Sequence, residues 1–228
     1  MTVRFAKASV GISPLLIGQV ERFYFAARDR VTEEVGTRQN EASVANREKP
    51  HRTSLAIPAY ILAAAAVEAF VNELFLSPLA LMTIVEVPDE TRSPVPSGVA
   101  DALERLDLGA KLILVPHLYT GRSLDASKQP YQDMKLLAEL RNHLVHYKMG
   151  WRPPKAVKVL GQRGFAFRVA PEEETGGPHP WADRVSTLEG IRWAYDTACA
   201  TGRALLDLLP DDKRGPLDFL RENFRKLG

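Results

Sequence analysis

The sequence predicts a mainly α-helical bundle carrying one small β-hairpin. Apolar residues recur at spacings of three and four in several long stretches, prolines and glycines fall between those stretches, and one short region pairs β-type residues around a glycine-bounded turn. With 228 residues, 45% of them hydrophobic, the chain can fill one sizeable core. The expected organisation is a single domain over residues 1–228, its core at about 10–210 and a short tail helix at about 216–226.

Residues 14–35 form the first predicted helix: Pro14 suits a first turn, and Leu16, Val20, Phe23, Ala27 and Val31 trace one apolar face, slightly weakened by Gly18. A polar stretch over 36–49 follows, ended by Pro50. Residues 54–75 form the most hydrophobic helix, with Ile61, Leu62, Ala65, Ala69 and Leu74 as core candidates and Pro58 either starting or kinking it. The alanine run at 63–66 leaves a small-residue surface that another backbone can approach closely. Glu68 and Asn72, four apart, share one face of this helix. A carboxylate in apolar surroundings is costly unless paired. Glu68 therefore either faces solvent or braces a helix interface, or it orients Arg141 or Lys148.

Prolines 78, 88, 94 and 96 make residues 77–97 mostly loop, with room for a strand at 82–87. Short helices are expected at 99–106 and 110–119, where Lys111 and His117 read as solvated bases. The next helix begins near Ser127 or Pro130, and Leu137, Leu140, Leu144 and Tyr147 define its core stripe. Residues 157–160 and 165–169 flank Gly161-Gln162-Arg163-Gly164 and read as the hairpin. A polar loop over 171–180 leads to a long helix at 183–209, with Val185, Leu188, Ile191, Ala194, Ala198, Leu205 and Leu208 on its apolar face and Pro210 as its stop. The amphipathic tail can pack on the bundle or on a second subunit.

Charge and cysteine content set outer bounds. Lys+Arg 30 against Asp+Glu 28 leaves +2, so an anion site must be a local cluster, not a global field. Cys199 is the single cysteine, which removes intramolecular disulfides and cysteine-based zinc sites and suits a reducing cytosol. Residues 1–18 lack the pattern of a signal peptide, and the longest apolar run, 56–67, is interrupted by Pro58 and short for a bilayer span. A soluble, cytoplasmic protein without membrane partners is expected.

Chemistry concentrates in Leu140-Arg141-Asn142-His143-Leu144-Val145-His146-Tyr147-Lys148. At ~100° per residue, Asn142 and His146 share a face turned away from the leucine stripe, while Arg141 lies about 140° from His146 with a side chain long enough to swing either way. Histidine titrates near neutrality and serves as acid or base, and arginine binds phosphate oxygens through a permanent forked charge. These groups suit RNA transesterification, in which the substrate's own 2′-hydroxyl is the nucleophile and no metal is needed. His143 and His146, three apart, lack a third ligand or a His-Glu-x-x-His pattern, so neither a metal nor another cofactor is expected.

Arg141-Asn142-His143-Leu144-Val145-His146 resembles the Arg-polar-x3-His signature of the HEPN superfamily, and it stands late in a helix as that family places it. The alanine-rich helix with Glu68, the segment 111–118 and the last long helix extend the resemblance over roughly residues 10–210, whereas the proline-rich loop and the hairpin depart from it. The resemblance implies a helical bundle that often homodimerises, placing two motif copies over one RNA cleft. It also implies metal-independent endoribonuclease activity, in toxin–antitoxin or phage-defence settings, with a nucleotidyltransferase-like antitoxin as a further partner. Arg141 would then stabilise the phosphate, Asn142 position substrate or catalytic groups, and His146 act as general acid or base. His143, Tyr147, Lys148, Glu68 and Asn72 are candidate supporting residues. The alternative is a HEPN-like module that binds RNA or assembles with protein without catalysis, a reading motivated by the near-neutral charge.

Overall fold

The computed structural model describes residues 11–38, 53–76, 97–146, 153–165, 180–211, 215–225 and 227. Those residues are mainly helical: α1 Ile12–Arg38, α2 Ala56–Val71, α3 Ser97–Glu104, α4 Leu108–Thr120, α5 Tyr131–Val145, α6 Lys155–Gln162, α7 Pro180–Val185 and α8 Leu188–Asp207, followed by a 3-10 segment Gly215–Phe224. Helix α2 occupies the centre, packed against α1, α8, α5 and α4.

The central position of α2 follows from its composition. A helix apolar nearly all round is stable only when covered on most sides. Ala59, Tyr60, Ala63, Ala64, Ala66, Val67, Phe70 and Val71 are buried. Of the five core positions expected here, Leu74 is fully buried, whereas Ile61, Leu62, Ala65 and Ala69 lie on the partly covered side. Such a helix offers little polar contrast from which spacing could select the buried face. Of its alanine run, Ala63, Ala64 and Ala66 are buried inside this chain, in a helix that packs chiefly on α1 and α8. Pro58 sits in the first turn, where its missing N–H breaks no helical bond. Beyond Val71 the helix widens into a π turn, Asn72–Leu76, so the apolar stretch runs past Glu68. Ala56–Phe75 is thereby long and apolar enough, by length and composition, to cross a membrane, with 50% of it buried against the rest of the chain. The run of 56–67 underestimated that length.

Glu73 in the π turn anchors α1. Its carboxylate accepts from the Ser13 backbone N–H at 3.1 Å and from Ser13 Oγ at 2.5 Å, placing an anion at the first turn of a 27-residue helix. Along α1, Val20 and Ala27 are buried as expected and Leu16 and Phe23 pack against the core. Helix α5 buries Met134, Leu137 and Leu140, and α8 buries Ile191, Ala194, Ala198 and Leu205, so both amphipathic stripes face the core.

The structure departs from expectation in two further places. Residues 157–160 are part of helix α6, not a hairpin strand, and no β-strand occurs among the described residues; 82–87 and 166–169 lie outside them. Gly164 does make a turn, at φ +81°, but as the cap of α6. The Phe165 N–H donates to the Leu160 carbonyl and the Gly164 N–H to the Gly161 carbonyl, the double closure of a Schellman motif. The expected single helix 183–209 is divided into α7 and α8 by Thr187, whose extended backbone and hydroxyl, accepting from Gly190 N at 3.0 Å, cap α8.

Two glycines on α8 permit close approach. Opposite Gly190, the Tyr60 hydroxyl donates to the Val185 carbonyl at 2.6 Å, and a Cβ would land on that hydroxyl. Opposite Gly202, the buried Phe224 ring stacks edge-on against Phe70 at 4.5 Å and docks the tail on the bundle, where a Cβ would meet it at 2.5 Å. The Tyr195 hydroxyl donates to the Arg225 carbonyl and Arg225 pairs with Glu21, so the tail packs within this chain.

These observations set opposite signs for glycine-to-alanine changes in helices. Gly18, with nothing within 4 Å of where a methyl group would sit, should gain stability as Gly18→Ala, by about 0.5–1 kcal/mol. Gly190→Ala and Gly202→Ala should lose about 1–3 kcal/mol through overpacking. Urea unfolding midpoints check this, and a Gly202→Ala protein as stable as Gly18→Ala would contradict the docking of the tail.

Candidate functional site

The motif helix meets the central helix through charge. Glu68, in the last turn of α2, shares its carboxylate between two cations: Oε1 accepts from Lys111 Nζ of α4 at 3.1 Å, and Oε2 from Arg141 Nη2 of α5 at 3.0 Å. Lys111 Nζ also lies 3.5 Å from Asn72 Oδ1 at the start of the π turn. Arg141 Nη1 donates to Asn142 Oδ1 at 2.8 Å. One carboxylate thus ties three helices together and gathers four of the residues expected in the site: Arg141, Asn142, Glu68 and Asn72.

Exposure grades outward through this cluster. The Lys111 side chain is 1% exposed, those of Glu68 and Arg141 about one-third exposed, and Asn142 is exposed. The expectation of a solvated Lys111 is therefore overturned. Its stem lies in the apolar face of α4 with Leu112 and Val115, and Glu68 supplies the counter-charge that makes burial tolerable. A signal was present in the sequence: Lys111 interrupts an otherwise apolar segment as Glu68 interrupts α2, and two such interruptions call for each other. His117, by contrast, is exposed.

The two motif histidines lie toward solvent. His143 is exposed, with Nδ1 2.9 Å from the Glu139 carbonyl. His146 is exposed and caps the C-terminus of α5 at φ −102°, ψ 49°, its backbone N–H donating to the Asn142 carbonyl. This leaves the C-terminal end of α5 with the Arg141 guanidinium held by Glu68 and Asn142 and two imidazoles exposed. Tyr147 and Lys148 lie outside the described residues. Glu139 reaches the other way, its carboxylate accepting from the Ala156 backbone N–H at 3.3 Å in the first turn of α6.

The arrangement can bind an anion. Two cations against one carboxylate leave one positive charge in excess, and its part-exposed member is Arg141. The described residues gather no group of three or more His, Cys, Asp or Glu side chains able to hold a metal ion. Two other features lie apart from this chemistry. A cleft of about 660 Å³ lined by Pro130, Asp133, Phe165, Glu189 and Trp193 includes none of the motif residues. Cys199 is buried, and burial pushes its thiol up to about 12, which keeps it protonated and unreactive near neutrality.

No family model, curated protein or solved structure matches the chain.

Unequal exposure predicts unequal costs within the cluster. Glu68→Ala strands a buried ammonium and should cost about 3 kcal/mol. Arg141→Ala removes only the part-exposed partner and should cost about 1 kcal/mol or less, and Lys111→Met, which replaces the buried charge by an apolar chain of similar size, should stay within about 1.5 kcal/mol of wild type. Chemical denaturation measures all three. Cys199 should react with a thiol-specific disulfide reagent only at the rate of unfolding; immediate reaction of the native protein would contradict its burial.

Proposed function

We propose that this protein is a metal-independent endoribonuclease of the HEPN type, acting on RNA by attack of the 2′-hydroxyl. The carrying observation is the C-terminal end of α5, where Arg141 is held by Glu68 and Asn142 through separate nitrogens while His146 stands exposed beyond it. A guanidinium fixed before substrate arrives stabilises phosphate charge with little reorganisation. In the proposed reaction a base takes the 2′-hydroxyl proton, the 2′-oxygen bonds to phosphorus, and the 5′-oxygen leaves with a proton from an acid. The products are a 2′,3′-cyclic phosphate and a 5′-hydroxyl. His146 fills one proton-transfer role and Arg141 contacts the phosphate, with Asn142 orienting both.

The reaction needs an acid and a base, and a second copy of the chain would bring a second His146 across a two-fold axis. Exposed Leu114 and Leu118 on α4 and Val145 on α5 lie on the two helices that carry the cations, and apolar surface of this kind suits a homodimer. The setting we propose is a cytoplasmic toxin or phage-defence effector, with a nucleotidyltransferase-like antitoxin as its control. A second reading, a HEPN-like RNA-binding or assembly module without catalysis, is favoured by one observation: Arg141 already spends two nitrogens on protein acceptors.

Purified protein incubated with single-stranded RNA in chelator should release fragments ending in 2′,3′-cyclic phosphate. His146→Ala should be slower by about 10²–10⁴-fold, the usual contribution of a general acid or base. Equal cutting by both proteins would remove His146 from the mechanism, a requirement for divalent metal would remove the mechanism itself, and RNA binding without cleavage would favour the second reading.

A further inference from the structure

Lys111 carries a charge that never reaches solvent. Its side chain is 1% exposed, and its ammonium lies 3.1 Å from Glu68 Oε1 and 3.5 Å from Asn72 Oδ1. No RNA can touch it. Whatever Lys111 does for an anion site on the surface, it does through Glu68.

We infer that Lys111 is a positioning residue that keeps Arg141 available as a cation, by occupying one carboxylate oxygen of Glu68 and balancing its charge. Arginine and carboxylate ordinarily close a two-pronged pair, in which both oxygens engage the guanidinium and the two charges cancel. Here Lys111 holds Oε1, so Arg141 meets Glu68 through Nη2 alone at 3.0 Å and turns Nη1 to Asn142. Arg141 is thus anchored without being neutralised. Without Lys111, both oxygens and the full negative charge of Glu68 would fall to Arg141. The surface would then lose the excess positive charge that a phosphate recognises. The π turn contributes by beginning at Asn72, whose amide oxygen is the second acceptor facing Lys111.

This inference rests on the proposed binding of RNA phosphate at Arg141, and its test separates the two. Binding of a short fluorescein-labelled single-stranded RNA is measured by anisotropy for wild type, Lys111→Met, and Lys111→Met combined with Glu68→Gln. Lys111→Met should weaken binding about tenfold, the loss of one charge-assisted contact, although the changed residue is buried. The double variant, which restores one net positive charge while the amide oxygen still accepts from Arg141, should return to within about twofold of wild type. A purely structural role would lower stability without this recovery of affinity. Should Lys111→Met fail to fold, Lys111→Gln removes the charge and keeps a donor toward Glu68.

A second measurement uses no RNA. Exchange of the Arg141 guanidinium protons with water, followed by nitrogen-15 NMR, should slow in Lys111→Met as the second oxygen of Glu68 closes on Arg141. Unchanged RNA affinity in Lys111→Met, or unchanged Arg141 exchange, overturns the inference. Wild-type protein that binds no RNA overturns the functional reading, and Arg141 exchange still decides the role of Lys111.

Discussion

The cluster rests on a lysine ammonium removed from water. A buried cation is tolerated only beside a counter-charge, and Glu68 is the carboxylate within reach of Lys111. Meeting this requirement pins α4 against α2. The other oxygen of the same carboxylate takes Arg141 and pins α5. The constraint that satisfies the interior therefore also sets the direction of the motif arginine, which helical geometry alone leaves free to swing. Burial on one side of Glu68 and exposure on the other turn a packing necessity into a cation presented at the surface.

The legible parts of the fold are those with polar contrast. In α5 and α8 the leucine and alanine stripes alternate with charged residues, and Leu137, Leu140, Ile191 and Ala198 are buried where the spacing puts them. In α2 the apolar residues run nearly all round, so the existence of the helix was legible and its buried face was not. The region around Gly164 was ambiguous for another reason. A positive-φ glycine closes a hairpin or ends a helix equally well, and α6 is too short, eight residues, for periodicity to choose between them. The break at Thr187 was hidden because apolar spacing continues through it, while the hydroxyl that caps the start of α8 makes no apolar mark.

For the site, Arg141, Asn142, Glu68 and Asn72 were each legible as residues, and the Arg141–Glu68 pair stood among the alternatives. Lys111 was missed, because a lone lysine is usually solvated, although its place in an otherwise apolar segment was a cue that it is buried with its neighbours Leu112 and Val115. Lys111 changes the charge of the cluster. With Arg141 alone, Glu68 would make a neutral brace between helices. With two cations on one carboxylate, the same contacts leave one positive charge in excess.

The most direct test is a crystal structure of the protein with a single-stranded oligonucleotide that lacks the 2′-hydroxyl nucleophile and so stays intact. A phosphate oxygen should lie within hydrogen-bonding distance of the Arg141 guanidinium, with the Glu68 contacts to both Lys111 and Arg141 retained and a His146 imidazole beside the 5′-oxygen. An oligonucleotide bound elsewhere, or an Arg141 closed onto Glu68 with no phosphate at its exposed edge, would contradict it.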